Sequence, residues 1–155
     1  MSRIKDLQKA VHRVLDGMED SGKRANAVAH LHSVALAAVM IAKKRGENTE
    51  IAAMSGLLHD LWAYKSGSYD DHARLGARYA RKVLDKLGIT TFEETDIICR
   101  AIEHHDSKEN VNAPMDEILK DADVLHHSLG DPTKEIKPHE KERFEKLCEE
   151  FGLLS

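Results

Sequence analysis

Gly56-Leu57-Leu58-His59-Asp60-Leu61 runs a string of apolar residues straight into an adjacent histidine and aspartate. Both polar side chains ask for water or a partner, while Leu57 and Leu58 ask for a core. A helix end reconciles the two demands: the leucines anchor it inside, and the pair is held rigidly where the chain leaves the core. Outward from this stretch the apolar residues recur at helical spacing almost throughout, with breakers between segments and no convincing alternation of strand type. The predicted fold class is all-α, a single compact helical domain over residues 1–155 with about six to seven helices.

Ile4, Leu7, Val11, Val14 and Leu15 mark a first amphipathic helix ending at Gly17, and Ala25 to Met40 carry a longer one ending near Gly46. A third runs from about Asn48 to Asp60. Leu61 to Ser68 reads as a loop, after which Asp70 or Asp71 can cap a fourth helix that stops at Gly88. Thr91 followed by Glu94 is a capping-box signature for the fifth, Pro114 suits the first turn of the sixth, and Phe144, Leu147, Cys148 and Phe151 belong to the last, at about 138–151.

The chain has 155 residues and a formal charge of -4, with 23 basic residues interleaved among 27 acidic ones. No broad cationic face of the kind that neutralises a nucleic-acid backbone is expected. The longest apolar run, Val34 to Ala42, is short of the ~20 residues that span a bilayer, and the charged N-terminus has no apolar stretch behind it, so a cytoplasmic protein without a membrane partner is expected. Cys99 and Cys148 stand far apart in no paired spacing, which fits reduced, packing thiols. Ten histidines are the one compositional oddity.

At ~100° per residue His32 falls on the stripe of Val28, Ala35, Leu36 and Val39, and His30 points to the opposite side. His72 lies in line with Leu75, Gly76, Tyr79 and Val83, while His104 and His105 close the fifth helix behind Ile97, Ala101, Ile98 and Ile102. Burying these imidazoles with His59 and Asp60 independently would cost several kcal/mol in desolvation. Convergence on a cation satisfies them together, since imidazole and carboxylate suit Zn, Fe or Mn; Mg, Ni and Co are also admitted.

With these residues placed, the chain resembles the HD-domain superfamily of metal-dependent phosphohydrolases, whose signature is a histidine, an adjacent His-Asp and a distant Asp. The matching residues are His32, His59-Asp60 and Asp123, the last within Lys120-Asp121-Ala122-Asp123-Val124-Leu125-His126, and the resemblance covers about 24–129. Asp71-His72-Ala73-Arg74-Leu75-Gly76 and the pair His104-His105 are similar to elements of two-metal members. The resemblance implies that His32, His59, Asp60 and Asp123 hold one divalent metal, that His72, His104 and His105 complete a second, and that Asp60 bridges them. Periodicity alone favours Asp121 over Asp123, since Asp121 lies roughly 70° from the centre of the Ile118, Ala122, Leu125, Leu129 stripe and Asp123 roughly 130°. The Ala-Asp-x-Leu-His pattern favours Asp123.

The activity implied is hydrolysis of a small phosphorylated metabolite, a nucleotide, by a metal-activated water, with His59 and Asp60 as the catalytic pair. The alternatives are a metal or nucleotide binding domain without turnover and a di-iron oxygenase of the same fold. Branches similar to alarmone hydrolases and deoxynucleoside monophosphatases carry a glutamate shortly after His-Asp, where this chain reads Leu61-Trp62-Ala63-Tyr64-Lys65. The cyclic-dinucleotide branch has Gly-Tyr-Pro after its histidine pair, where this chain has Asp106-Ser107-Lys108. Small bacterial members similar to dinucleoside-tetraphosphate hydrolases have the nearest spacing. Trp62, Tyr64 and Lys65 are expected at the substrate cleft, the aromatics offering flat faces for a base. Lys108 and Arg24 read as exposed charges, His126 and His127 as neighbours of the metal ligands or a solvated face. His12 and His139 carry no signal.

Overall fold

The computed structural model describes residues 2–153 and is helical throughout, as the periodicity predicts. Its eight α-helices among the described residues are α1 (Arg3–Leu15), α2 (Ser21–Arg45), α3 (Thr49–Leu58), α4 (Leu61–Ser66), α5 (His72–Leu87), α6 (Phe92–His104), α7 (Pro114–Leu129) and α8 (Lys141–Phe151), with a 3-10 turn over Pro138–Glu140. The local signals act where they stand in the sequence. Asp20 accepts from Lys23 N at the start of α2, Asn48 caps α3, and Thr91 and Glu94 form the reciprocal capping box of α6. Pro114 opens α7. Asp71 precedes α5 without capping it: its φ of 52° is left-handed, and its carboxylate faces Arg74 instead.

Residues 61–68 are not the open loop that their glycine and serines suggest. Leu61 and Ala63 are buried, a short helix forms, and Gly67 ends it with a φ of 72°. Asp60 accepts from Tyr64 N through its backbone carbonyl, so α4 begins directly on the His-Asp pair.

α2 is the central element and packs against α3 and α7. By length and composition it is apolar enough to cross a membrane, but its buried residues Ala27, Leu31, Val34, Ala38 and Ile41 face neighbouring helices. Of the stripe of Val28, Ala35, Leu36 and Val39 only Ala35 is buried. Leu36 is 64% exposed, and Val28 and Val39 are only partly covered. An all-round apolar helix has no periodicity with which to choose a face. Packing chooses it: Gly56 of α3 lies so close to α2 that a Cβ there would stand 2.6 Å from Ala35 Cα and 2.7 Å from Ala35 N. That contact turns the row of small residues inward and sets α3, with His59 at its end, against α2.

Because the atoms met at Gly56 are backbone, neither helix can yield by rotating a side chain. Gly56→Ala is expected to destabilise the fold by about 1–3 kcal/mol through overpacking. Thermal unfolding followed by circular dichroism should show a melting temperature lower by roughly 3–10 °C.

Candidate metal centre

Three helices deliver the first polar group. α2 brings His30, the end of α3 brings His59 and Asp60, and α7 brings Asp123. His30 Nε2 lies 3.0 Å from His59 Nε2, 3.1 Å from Asp60 Oδ2 and 3.4 Å from Asp123 Oδ1, and His59 Nε2 lies 3.4 Å from both carboxylates. A second group shares Asp60: its Oδ1 lies 3.3 Å from His105 Nε2 and 3.6 Å from His72 Nε2. His59 and Asp123 are fully or nearly fully buried, as are Asp60 and His105, while His72 is half-buried.

The far side of each ring explains its orientation. His59 Nδ1 donates to Gly56 O at 2.7 Å, His105 Nδ1 to Ile102 O at 2.6 Å and His72 Nδ1 to Tyr69 O at 2.9 Å. A carbonyl accepts only, so each Nδ1 carries the proton and each Nε2 is turned inward. His30 Nδ1 meets His126 Nδ1 at 2.7 Å with the same result. Burial and the neighbouring His30 charge hold His126 below the usual imidazole range, which fits a neutral acceptor.

Inside, nitrogens and carboxylate oxygens face one another, and Asp60 Oδ1 and Asp123 Oδ1 have no hydrogen-bond partner among the described residues. The electrostatics call for positive charge. Burial opposes an imidazolium at His59, yet Asp60 and Asp123 outweigh it and push the ring up to about 10. Burial likewise opposes ionisation of Asp60 and Asp123, but His59 with His105 and His30 around one, and His30, His59 and Lys108 around the other, hold both carboxyls well below the usual range. The donor set fits divalent metals: ligands each about 2.1 Å from one ion stand roughly 3.0–3.4 Å apart, which is the spacing found in the first group.

Several expected site residues lie elsewhere. His32 is not in the cluster, because α2 turns its other side inward. His32 Nε2 meets His12 Nε2 at 2.8 Å instead, and burial with the nearby His12 lowers its pKa. Of the pair His104-His105 only His105 enters; His104 closes the helix one position earlier, points outward and meets Asp116 Oδ2 through Nδ1 at 2.7 Å. Asp123 rather than Asp121 carries its carboxylate into the cluster. Asp121 accepts from Arg45 Nη2 at 2.7 Å and Arg143 Nη1 at 2.9 Å.

A cavity of about 310 Å³ opens over the cluster, and Tyr64 lines it together with Tyr69. Trp62 packs against Tyr79 and Lys65 lies over the same ring, so neither lines the cavity. α4 is a helix, which sends these neighbours of Tyr64 in other directions. Lys108 reads as an exposed charge but is buried, donating to Asp123 Oδ2 at 2.8 Å and His105 O at 2.7 Å. His30, Lys108 and the cavity-lining His127, His139, Tyr69 and Glu140 are among the polar residues that sequence reasoning misplaced, left undecided or passed over. A stripe of Ala27, Leu31, Val34, Ala38 and Ile41 was the available signal for His30, equal in strength to its competitor.

The geometry separates neighbouring histidines cleanly. His30→Ala should lower affinity for Mn or Zn by on the order of 100-fold, whereas His32→Ala should leave it unchanged, as read by titration of metal-free protein. Asp60→Asn touches both groups and should reduce the metal retained after gel filtration below that of His72→Ala, which leaves the first group whole.

A family model described as "HD domain" matches residues 27–128. Ribonuclease Y of Rubrobacter xylanophilus is 33% identical over 101 residues, covering 64% of this chain and 18% of its own length. The bifunctional uridylyltransferase/uridylyl-removing enzyme of Cupriavidus pinatubonensis is 34% identical over 76 residues, or 49% of this chain and 8% of its own. The chain thus spans less than a fifth of these relatives. The crystal structure of a predicted HD superfamily hydrolase from an uncultured Thermotogales bacterium superposes with a TM-score of 0.66 over 93% of this chain and 88% of that one, at 21% identity. That likeness is one of fold, and together with the residues matched by the family model it places this chain in the HD domain family.

Proposed function

We propose that the chain is a metal-dependent phosphohydrolase that cleaves a phosphate ester or anhydride of a small metabolite, a nucleotide, with water as nucleophile. The observation that carries this reading is the sharing of Asp60 between two buried groups of inward-facing ligand atoms beneath a cavity. His30, His59, Asp60 and Asp123 would hold one divalent ion, and Asp60, His72 and His105 a second. Bound there, such ions supply Lewis acidity that lowers the pKa of water and offsets charge on a phosphoryl group.

The chain's own residues provide the rest. The backbone carbonyls behind His59, His72 and His105 fix the rings, so little reorganisation is required when charge develops in the site. Lys108 holds Asp123 by its outer oxygen and leaves Oδ1 facing the histidines. Lys137 adds a cation and His139 a ring nitrogen to the lining, both able to meet phosphate oxygens, while Tyr64 and Tyr69 give the cavity aromatic walls. A cavity of about 310 Å³ has room for a mononucleotide-sized ligand. One relative is named for cleaving RNA and the other for transferring and removing uridylyl groups, which supports a substrate with a nucleotide phosphate. We place the reaction in the cytoplasm, where the unpaired Cys99 and Cys148 stay reduced.

The test loads metal-free protein separately with Mn, Fe, Mg, Zn, Ni and Co and offers nucleotides, nucleotide anhydrides and simple phosphomonoesters. Phosphate or nucleotide release is expected with at least one metal, abolished by chelator and lowered on the order of 100-fold or more by Asp60→Asn. Metal binding without release from any compound would leave a binding domain. Oxygen uptake by the iron-loaded protein without phosphate release would move the chemistry to a di-iron oxygenase.

A further inference from the structure

Glu140 is the most unusual charged residue outside the cluster. It lies in the 3-10 turn before α8, beyond the residues matched by the family model, and yet is only 1% exposed. Burying a carboxylate costs several kcal/mol unless it is paired. Its close partner is His127, whose Nδ1 lies 2.9 Å from Glu140 Oε1; His139 Nε2 is 3.8 Å away on a largely exposed ring. Glu140 Oε2 is buried with no hydrogen-bond partner among the described residues.

The partner of Glu140 reaches the site. His127 Nε2 lies 3.4 Å from Asp123 Oδ1, the same oxygen that faces His30 and His59. The His127 ring stacks on His30 with planes 4° apart and centroids 5.6 Å apart, and both His127 and Glu140 line the cavity. Three residues beyond Glu140, Arg143 ties the start of α8 to α7. That side chain donates through Nη1 to Glu117 and Asp121 of α7 and through Nη2 to Lys108 O. The turn is therefore braced against the helix that carries both His127 and Asp123.

We propose that Glu140 is a positioning residue of the site. By accepting from His127 Nδ1, it fixes the ring so that the unprotonated Nε2 is presented to the cavity beside Asp123, where it accepts a hydrogen bond from the attacking water. The C-terminal segment thereby forms a working wall of the site rather than a cover for the bundle. The contact with the attacking water rests on the hydrolase reading; the pairing of Glu140 with His127 does not.

Two independent readouts on the full chain test this. Long-range nitrogen–proton NMR of histidine-labelled, metal-free protein, with the His127 signal identified by its loss in His127→Ala, should show Nδ1 protonated in the wild type and in Glu140→Gln, which keeps an acceptor. Glu140→Ala should lose that state. On the Mn-loaded protein with the best phosphorylated substrate, Glu140→Ala and His127→Ala should each lower kcat/KM by roughly 10–100-fold with metal content unchanged. Glu140→Gln should recover most of the loss, and the double variant should be no worse than His127→Ala alone. An unprotonated His127 Nδ1 in the wild type, or additive losses in the double variant, would overturn the proposal. Should Glu140→Ala fail to fold, the wild-type protonation state and the Glu140→Gln and His127→Ala rates decide it. If the wild type turns over no phosphorylated compound, the hydrolase reading falls and the NMR result still decides the pairing.

Discussion

Everything in the structure serves the burial of one carboxylate, Asp60. It is the common member of both ligand groups, with Oδ2 toward His30 and His59 and Oδ1 toward His72 and His105. A carboxylate so placed costs several kcal/mol unless cationic or hydrogen-bonding groups surround it. Here the surrounding groups come from α2, α3, α5 and the end of α6. The helices around the cluster are thus held by its polar demands as well as by their apolar faces.

The apolar packing in turn makes those demands satisfiable. Gly56 brings α3 into backbone contact with α2, and Gly76 lies on α5 beside the His59 carbonyl, where a Cβ would make an ordinary contact at 3.4 Å. Both glycines lie within a turn of a ligand residue. Close approach of the backbones shortens the span that the imidazoles must bridge, and the carbonyls released at the ends of α3 and α6 become the acceptors for His59 and His105 Nδ1. The same helix ends that present the rings also orient them.

Around this centre lies a ring of polar residues whose roles depend on distant partners. Lys108 and His127 both reach Asp123, one from the connection between α6 and α7 and one from a turn further along α7. Arg45 and Arg143 hold Asp121 on the opposite side of α7 and join that helix to α2 and α8. Two aspartates two positions apart thus serve opposite purposes, one within the cluster and one tying the helices together.

The sequence by itself determined the helical class, the start of α3 near Asn48, the cap at Thr91, the opening of α7 at Pro114, and the gathering of histidines with the His59-Asp60 pair, because spacing, capping and desolvation act over a few residues. It also marked Asp123 through the pattern around it, where periodicity pointed to Asp121. Which side of α2 faces inward was decided only by tertiary structure. Ala27, Leu31 and Val34 compete with Val28, Leu36 and Val39 on equal terms, and the contact of Gly56 with Ala35 settles the rotation and with it His30 against His32. The choice of His105 over His104, the burial of Lys108 and the closing of Glu140 on His127 have the same origin. Each depends on a partner 12 or more residues away, as the separations of 12 for His104 and Asp116, 15 for Lys108 and Asp123 and 13 for His127 and Glu140 record. Periodicity along one helix carries no information about which neighbour will arrive to complete a pair.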